Sequence, residues 1–295
     1  MSSLSRYYFF LTTSTWGMWH HEIHYQELLD LPIRLPDSQE KIDQIVNIVD
    51  QLNSVDSSHQ KTSRLRNKSQ LEININTNIP NHKNSLEDIT ALEDKLDEAI
   101  FDLYELRISE RDLIRDMCDI GIEFFYNEIE SQAVKPVITR NPKCKYGLLQ
   151  TTSSLNDSDL PVDLKSYLKI LLNAWNRELY PEGEFSWRII PSDQSTAMLC
   201  VVLSTQEVGH IPQFLDNDED AWVTVLSELN DALLVPYKSN RVYIDGIVRA
   251  VTDTDIIIIK RNEKRLWTKS MAREDVEATL LQAINLQETR QGISV

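Results

Sequence analysis

Apolar positions along the chain change spacing several times, and each change marks an element. Ile42, Ile45, Val46, Val49 and Leu52 fall at i, i+3, i+4, i+7 and i+10, one stripe of an α-helix over 38–52. Asp37 and Ser38 stand before it as N-cap types, with Glu40 in the first turn. Ile89, Leu92, Leu96, Ile100 and Leu103 repeat at spacings of three and four, which predicts a second helix opening at Ser85. Leu113, Ile114, Met117 and Ile120 continue into a third, capped by Ser109. The short turn ELRIS between these two predicts a helical hairpin, and the 38–52 helix completes a small bundle or antiparallel coiled coil. Further on, Leu164, Leu168, Leu171 and Trp175 predict a helix. Phe185 to Ile190 and Met198 to Leu203 predict strands, and Asp218 to Leu233 a helix. Val242 to Val251 and Asp255 to Ile259 predict a β-hairpin turning at Thr252 to Thr254, and Met271 to Leu286 a last helix. Ile256 to Ile259 places four β-branched residues in a row, the mark of a strand buried on both faces.

Between these elements the pattern fails. Residues 53–84 are rich in Ser, Asn and Gln with few large apolar groups, so burial there cannot offset the entropy of ordering. Residues 131–158 read as loop. Residues 3–15 are aromatic and apolar and predict a short helix; 25–35 read as extended or turning, because Pro32 and Pro36 drive Leu31 and Leu35 away from helical backbone. The expected fold is therefore α+β: an N-terminal helical hairpin or bundle, then a smaller mixed α/β domain with a short antiparallel sheet. Its divisions are 1–52 (docking segment and first spacer helix), 53–84 (flexible linker), 85–130 (acidic helical hairpin), 131–158 (linker) and 159–295 (C-terminal α+β domain).

The length, 295 residues, suits two domains. No apolar run of 18 residues predicts a membrane span, and three widely spaced cysteines, Cys118, Cys144 and Cys200, suit a reducing cytoplasmic setting. The formal charge of −16 argues against nucleic-acid binding by the chain as a whole. Its distribution is uneven. Residues 85–130 hold fifteen acidic side chains against four basic ones, while residues 237–273 hold nine basic against four acidic.

Chemistry-bearing motifs are sparse. No glycine-rich loop serves phosphate, and no serine elbow, HExxH or CxxC is present. His20, His21, Glu22 and His24 in WHHEIH lack an evident further metal ligand, and Asp116 with Asp119 reads as a solvated acidic face. The stretch IIIIKRNEKRLWTK is more specific. Lys260, Arg261, Lys264, Arg265, Trp267 and Lys269 combine cations with a flat aromatic face, the pairing that phosphate and base contacts need. A core position for Trp267, with the basic turn merely exposed, is the competing reading.

Several phrases, in order, resemble adenine-specific (N6) DNA methyltransferases of restriction-modification and related defence systems. SRYYFFLTTSTWG, YQELLDLPIRLP and SQEKIDQIVNIV are similar to the region after target recognition, with its "lP.p.lP" hinge. Ile100, Phe101, Leu103, Tyr104, Glu105 and Leu106 stand at the family's "vy.LYgL" phrase. IIIIKRNEKRLWTKSMAREDVEATLL resembles the closing "KP..rr.WT...A..DA" pattern. The family's S-adenosylmethionine loop and NPPY-type tetrapeptide are absent; Asn141-Pro142-Lys143-Cys144 is not that motif. The resemblance thus implies a non-catalytic C-terminal, specificity or accessory part of a split methyltransferase, not an enzyme on its own. It would dock on a catalytic chain that carries S-adenosylmethionine, and reach double-stranded DNA through the complex. Tyr7, Tyr8, Phe10, Trp16, Pro32 and Pro36 are the expected docking residues. The alternative is an acidic protein–protein interaction module with no DNA contact.

Overall fold

The computed structural model describes residues 2–13, 24–69, 82–138, 149–191, 197–208, 227 and 246–290, with the side chains of 55–69, 82–88, 289 and 290 left aside. The chain divides into two compact units, Met1–Cys118 and Asp119–Val295. The expected helix over 218–233, the Asn141–Cys144 tetrapeptide, Trp16, His20, His21 and Glu22 lie outside the described residues. The fold is α+β with a short antiparallel sheet.

Unit 1 contains α1 (Ser3–Thr12), α2 (Tyr25–Leu29), α3 (Gln39–Ser69), α4 (His82–Leu103) and α5 (Ile108–Asp116). Ser38 accepts the Lys41 N–H at 3.4 Å, as expected of an N-cap. The rest of α3 departs from expectation. Its backbone stays helical to Ser69, through half of the segment read as a linker. That stretch contains no Gly or Pro, and Gln, Lys, Arg and Leu all propagate a helix once it is nucleated. Ser85 falls inside α4 rather than capping it, since the helix opens at His82. Residues 25–29 form a turn of helix in the segment expected to be extended or turning, and Glu27 reaches back to accept the His24 N–H at 2.9 Å.

The apolar face of α3 that meets α4 is not the whole predicted stripe. Ile48 is buried, with Ile45 and Leu52 half-buried beside it, while Val46 is half exposed. α1 packs on α4 and α5. Asp97 of α4 accepts the Ser3 N–H at 2.7 Å and the Ser3 hydroxyl, a carboxylate on the first turn of α1, where the helix dipole favours it. Phe9 is the buried face of α1.

α4 ends in a Schellman motif. The Leu106 N–H donates to the Phe101 carbonyl at 3.0 Å, and the Glu105 N–H to the Asp102 carbonyl at 3.1 Å. Glu105 sits at φ 56°, the left-handed position that glycine fills at least cost, and it occupies the glycine place of the "LYgL" phrase. Beside it, the Tyr104 hydroxyl donates to the Pro32 carbonyl at 2.5 Å and accepts the Arg34 N–H at 3.1 Å. The two-proline segment is therefore tied to the end of α4. Glu105→Gly should be more stable than Glu105→Ala by about 1 kcal/mol, since both lose the Arg34 ion pair and only alanine keeps the left-handed strain. Thermal unfolding of the two variants checks it.

Unit 2 contains α6 (Ile122–Asn127), α7 (Val162–Leu179), β1 (Ser186–Pro191), β2 (Met198–Ser204), β3 (Val248–Val251), β4 (Asp255–Arg261) and α8 (Lys269–Arg290). The sheet order is β1-β2-β4-β3, antiparallel throughout. One face, with Trp187, Ile189, Val201, Leu203, Ile256 and Ile258, packs on α7 and α8. The other, with Ile190, Cys200, Val202, Ile257 and Ile259, is buried as well. β4 is thus buried on both sides, as its isoleucine run predicts.

The segment 131–158 is not a free linker where it is described. Val137, Ile138 and Leu155 belong to the unit 2 core. Buried Asn262 draws it in. Its side-chain oxygen accepts the N–H groups of Val137 and Ile138 at 3.0 and 3.1 Å, and its amide donates to the Ile138 carbonyl at 2.7 Å. One side chain thus does what a neighbouring strand would do for those backbone groups.

Candidate functional site

The basic stretch singled out in the sequence begins on β4, and the pleat divides it. Side chains alternate across a strand, so Ile256, Ile258 and Lys260 share the face that meets α7 and α8. Lys260 is accordingly 0 % exposed. Arg249 pairs with Ile258 in the ladder and so points the same way. Both cations converge on Asp275 of α8, itself fully buried. Lys260 donates through Nζ to one carboxylate oxygen, and Arg249 donates through Nε to the other at 2.7 Å. The Tyr167 hydroxyl of α7 donates to the same oxygen as Lys260. Lys260 also donates to the Leu266 carbonyl at 3.0 Å, and Arg249 reaches Glu274 at 2.8 Å.

The aromatic rings complete the enclosure. The Lys260 ammonium lies 5.1 Å from the Tyr167 ring centre and 5.3 Å from that of Trp267, and the two rings meet edge to face at 4.9 Å. Trp267 is 0 % exposed, and its indole N–H donates to the Arg261 carbonyl at 2.8 Å. Behind them, Thr279 donates to the Asp275 carbonyl at 2.7 Å and accepts from the Trp175 indole at 3.3 Å. Burial lowers the pKa of Lys260, outweighing the opposing pull of Asp275. Burial, and then the Asp275 charge, hold the Tyr167 phenol well above its ordinary value.

This arrangement corrects two of the expected DNA contacts. Lys260 and Trp267 are inside the core, so neither presents its charge or its ring to a nucleic acid. The alternation that put Ile256 and Ile258 inside carries Lys260 with them, and Asp275 makes its burial tolerable. The other four residues remain toward the surface. Arg261 is exposed; Lys264, Arg265 and Lys269 are half-buried. Glu263 holds the Arg265 guanidinium at 2.7 Å and that of Arg261 at 3.8 Å, and Arg265 lies over the Phe124 ring at 4.6 Å.

Among the expected docking residues, Tyr7, Tyr8 and Phe10 are half-buried on α1, and the Tyr8 hydroxyl donates to the Asp30 carbonyl at 3.1 Å. Pro32 is exposed and Pro36 half-buried, with Ile33 and Leu35, 72 % and 77 % exposed, between them. His24 is the residue before α2. Sequence reasoning missed Asp275, Tyr167 and Asn262. The parity of β4 bore on the first two, and the closing phrase carries an aspartate at the place of Asp275.

Five of the seven fixed letters of the closing phrase match, at Lys260, Trp267, Thr268, Ala272 and Asp275, while Arg261 and Val276 stand where it has proline and alanine. All five matched residues are buried, and Thr268 accepts the Met271 N–H at 3.3 Å in the first turn of α8. Among the described residues, no helix is long and apolar enough to cross a membrane. No protein-family model matches the chain, and neither a curated protein nor a solved structure matches it.

Proposed function

We propose that the chain is the non-catalytic specificity or accessory part of an adenine-specific DNA methyltransferase. It docks in the cytoplasm on a catalytic chain that binds S-adenosylmethionine and helps to place that chain on double-stranded DNA. One observation carries the reading: the residues that make the chain resemble this family stand where the fold demands a particular residue. The closing phrase supplies the Lys260–Asp275 pair with its enclosing Trp267 and Ala272. The middle phrase supplies Tyr104, which ties down the two-proline segment; Glu105 departs from its glycine, although the backbone there is left-handed as a glycine place requires.

The alternative, an acidic module with no DNA contact, draws less support. Arg111 pairs with Glu98 and Asp102, both at 2.7 Å, and Arg115 pairs with Glu98 at 2.7 Å, so part of the acidic face of α4 is already neutralised.

The test is recovery of the tagged chain from its own host at moderate salt, followed by methyl transfer from labelled S-adenosylmethionine to adenine in duplex DNA. Transfer is expected in the recovered complex and not in the isolated chain. A complex without this activity, or an isolated chain with it, would overturn the reading.

A further inference from the structure

Among the described residues, large apolar side chains that reach no core gather in one short stretch. Between Tyr25 and Leu35, five of them, Tyr25, Leu28, Leu29, Ile33 and Leu35, are half exposed or more. Isolated apolar residues are ordinary at a surface, but a run of them marks a place of contact. The end of this stretch is also held in place. The Tyr104 hydroxyl donates to the Pro32 carbonyl and accepts the Arg34 N–H, and the Arg34 guanidinium pairs with Glu105 at 2.5 Å. Pro32 and Pro36 fix their own φ and keep Leu31 and Leu35 out of helical backbone. Arg34 is thus fastened to the end of α4, while its neighbours Ile33 and Leu35 stand in solvent.

We propose that Ile33 and Leu35, with Leu28 and Leu29 just before them, dock into an apolar pocket of a partner polypeptide, and that lysines and arginines rim this pocket. That the partner is the catalytic chain rests on the function proposed above. Charge selects the occupant. Residues 24–43 hold five carboxylates, Glu27, Asp30, Asp37, Glu40 and Asp43, against the two cations Arg34 and Lys41. Both cations are already matched, Arg34 by Glu105 and Lys41 by Asp37 at 3.8 Å. The surrounding elements do not reverse the balance. Arg107 pairs with Glu110, Arg111 with Glu98 and Asp102, and Arg115 with Glu98. Unit 1 as a whole holds twenty carboxylates against twelve cations. A second copy of the chain would set this acidic rim against itself, and an anionic membrane or a nucleic acid would bring its own negative charge. A basic rim around the pocket relieves the repulsion instead. The bracing by Tyr104, Glu105 and the two prolines adds to affinity, because a segment already fixed loses little freedom when its side chains are buried.

The experiment is recovery of the tagged full chain from its own host at about 50 mM salt, followed by sedimentation velocity of the recovered sample. The variant is Ile33→Ser/Leu35→Ser. Both side chains are exposed, so its urea midpoint should match that of the unmodified chain. Val162→Ser, at an exposed apolar position of α7, is the control. The unmodified chain and the control should sediment with a second polypeptide. The double variant should bind that polypeptide about tenfold more weakly or worse, as the loss of buried anchors does, and run as the free chain. The unmodified complex should weaken as salt rises from about 50 to about 500 mM, since screening acts on the charged rim. Equal binding by the double variant and the unmodified chain would overturn the proposal. So would a complex that holds as firmly at high salt, a particle made of two copies of this chain, or recovery of the chain alone. Methyl transfer is assayed separately on the same samples. A complex that transfers methyl groups yet survives the double substitution overturns the docking surface and leaves the wider reading standing. A complex that is lost on substitution but transfers none does the reverse.

Discussion

Asp275→Ala should destabilise unit 2 by about 3–5 kcal/mol, because removing one partner of a buried ion pair leaves the other charge uncompensated. Two cations and a phenol are affected at once. Lys260, 0 % exposed, keeps only the Leu266 carbonyl. Tyr167 loses its acceptor, and Arg249 falls back on Glu274. Urea unfolding followed by tryptophan fluorescence measures the loss, since Trp175, Trp187 and Trp267 all lie in this core. The deficit has a pH signature. Lys260 already has a folded-state pKa below its ordinary 10.5, and without Asp275 it falls further. Between the folded and unfolded values the unfolded chain binds more protons, so stability of the variant rises with pH there. Its deficit should therefore narrow on the alkaline side of neutrality, below the range where tyrosines ionise. Lys260→Met/Asp275→Leu removes both charges and should be more stable than Asp275→Ala alone. A double variant that loses as much as the two single ones together would show that Lys260 and Asp275 do not act as a pair.

That pair also shows what a sequence reveals and what it hides. The strands were legible because β-branched runs and period-two alternation are local properties. β4 and its burial on both faces follow from Ile256 to Ile259 alone. The same parity assigns Lys260 to the inner face, yet a lysine inside is stable only beside a carboxylate fifteen residues on, and no local pattern announces that partner. Lys260 therefore read as the first residue of a basic surface run. Asn262 misled in the same way. An asparagine between basic residues suggests a turn, and its three bonds to Val137 and Ile138 are contacts 124 and 125 residues apart. The segment 131–158 looked free because what holds it lies elsewhere in the chain. At α3 the error ran the other way. Polar composition suggested a mobile linker beyond residue 52, but without Gly or Pro nothing stops a helix already under way. For the candidate site, the 260–269 run was found and its division into core and surface was not.

Phe101→Ala should cost unit 1 about 3–5 kcal/mol from the lost ring and the cavity it leaves. Two guanidiniums also lose a ring face, about 0.5–1 kcal/mol each at sites as open as these. Arg115 lies 5.2 Å and Arg111 5.9 Å from the ring centre. Both arginines donate to Glu98 at 2.7 Å, and the hydrogen bond from Arg115, with that from Arg111 behind it, holds the Glu98 carboxyl below its ordinary pKa against the opposing effect of burial. The ring is thus the floor under an ion network, and the network fixes α5 against α4. Among the described residues of unit 1 the buried apolar ones are few, with Phe9, Ile48, Leu103 and Ile114 chief among them. Hydrogen exchange separates the consequences. Amides of α1, α4 and α5 should lose protection in Phe101→Ala, while those of β1, β2 and β4 keep theirs, because the chain divides into two compact units and the sheet belongs to the second. Phe101→Leu, which still fills much of the site, should cost less than alanine. Equal loss of protection in the sheet would mean that the units do not unfold separately. A cost under 1 kcal/mol would mean that α4 and α5 collapse onto the gap, and that the ring is not what the two arginines rest on.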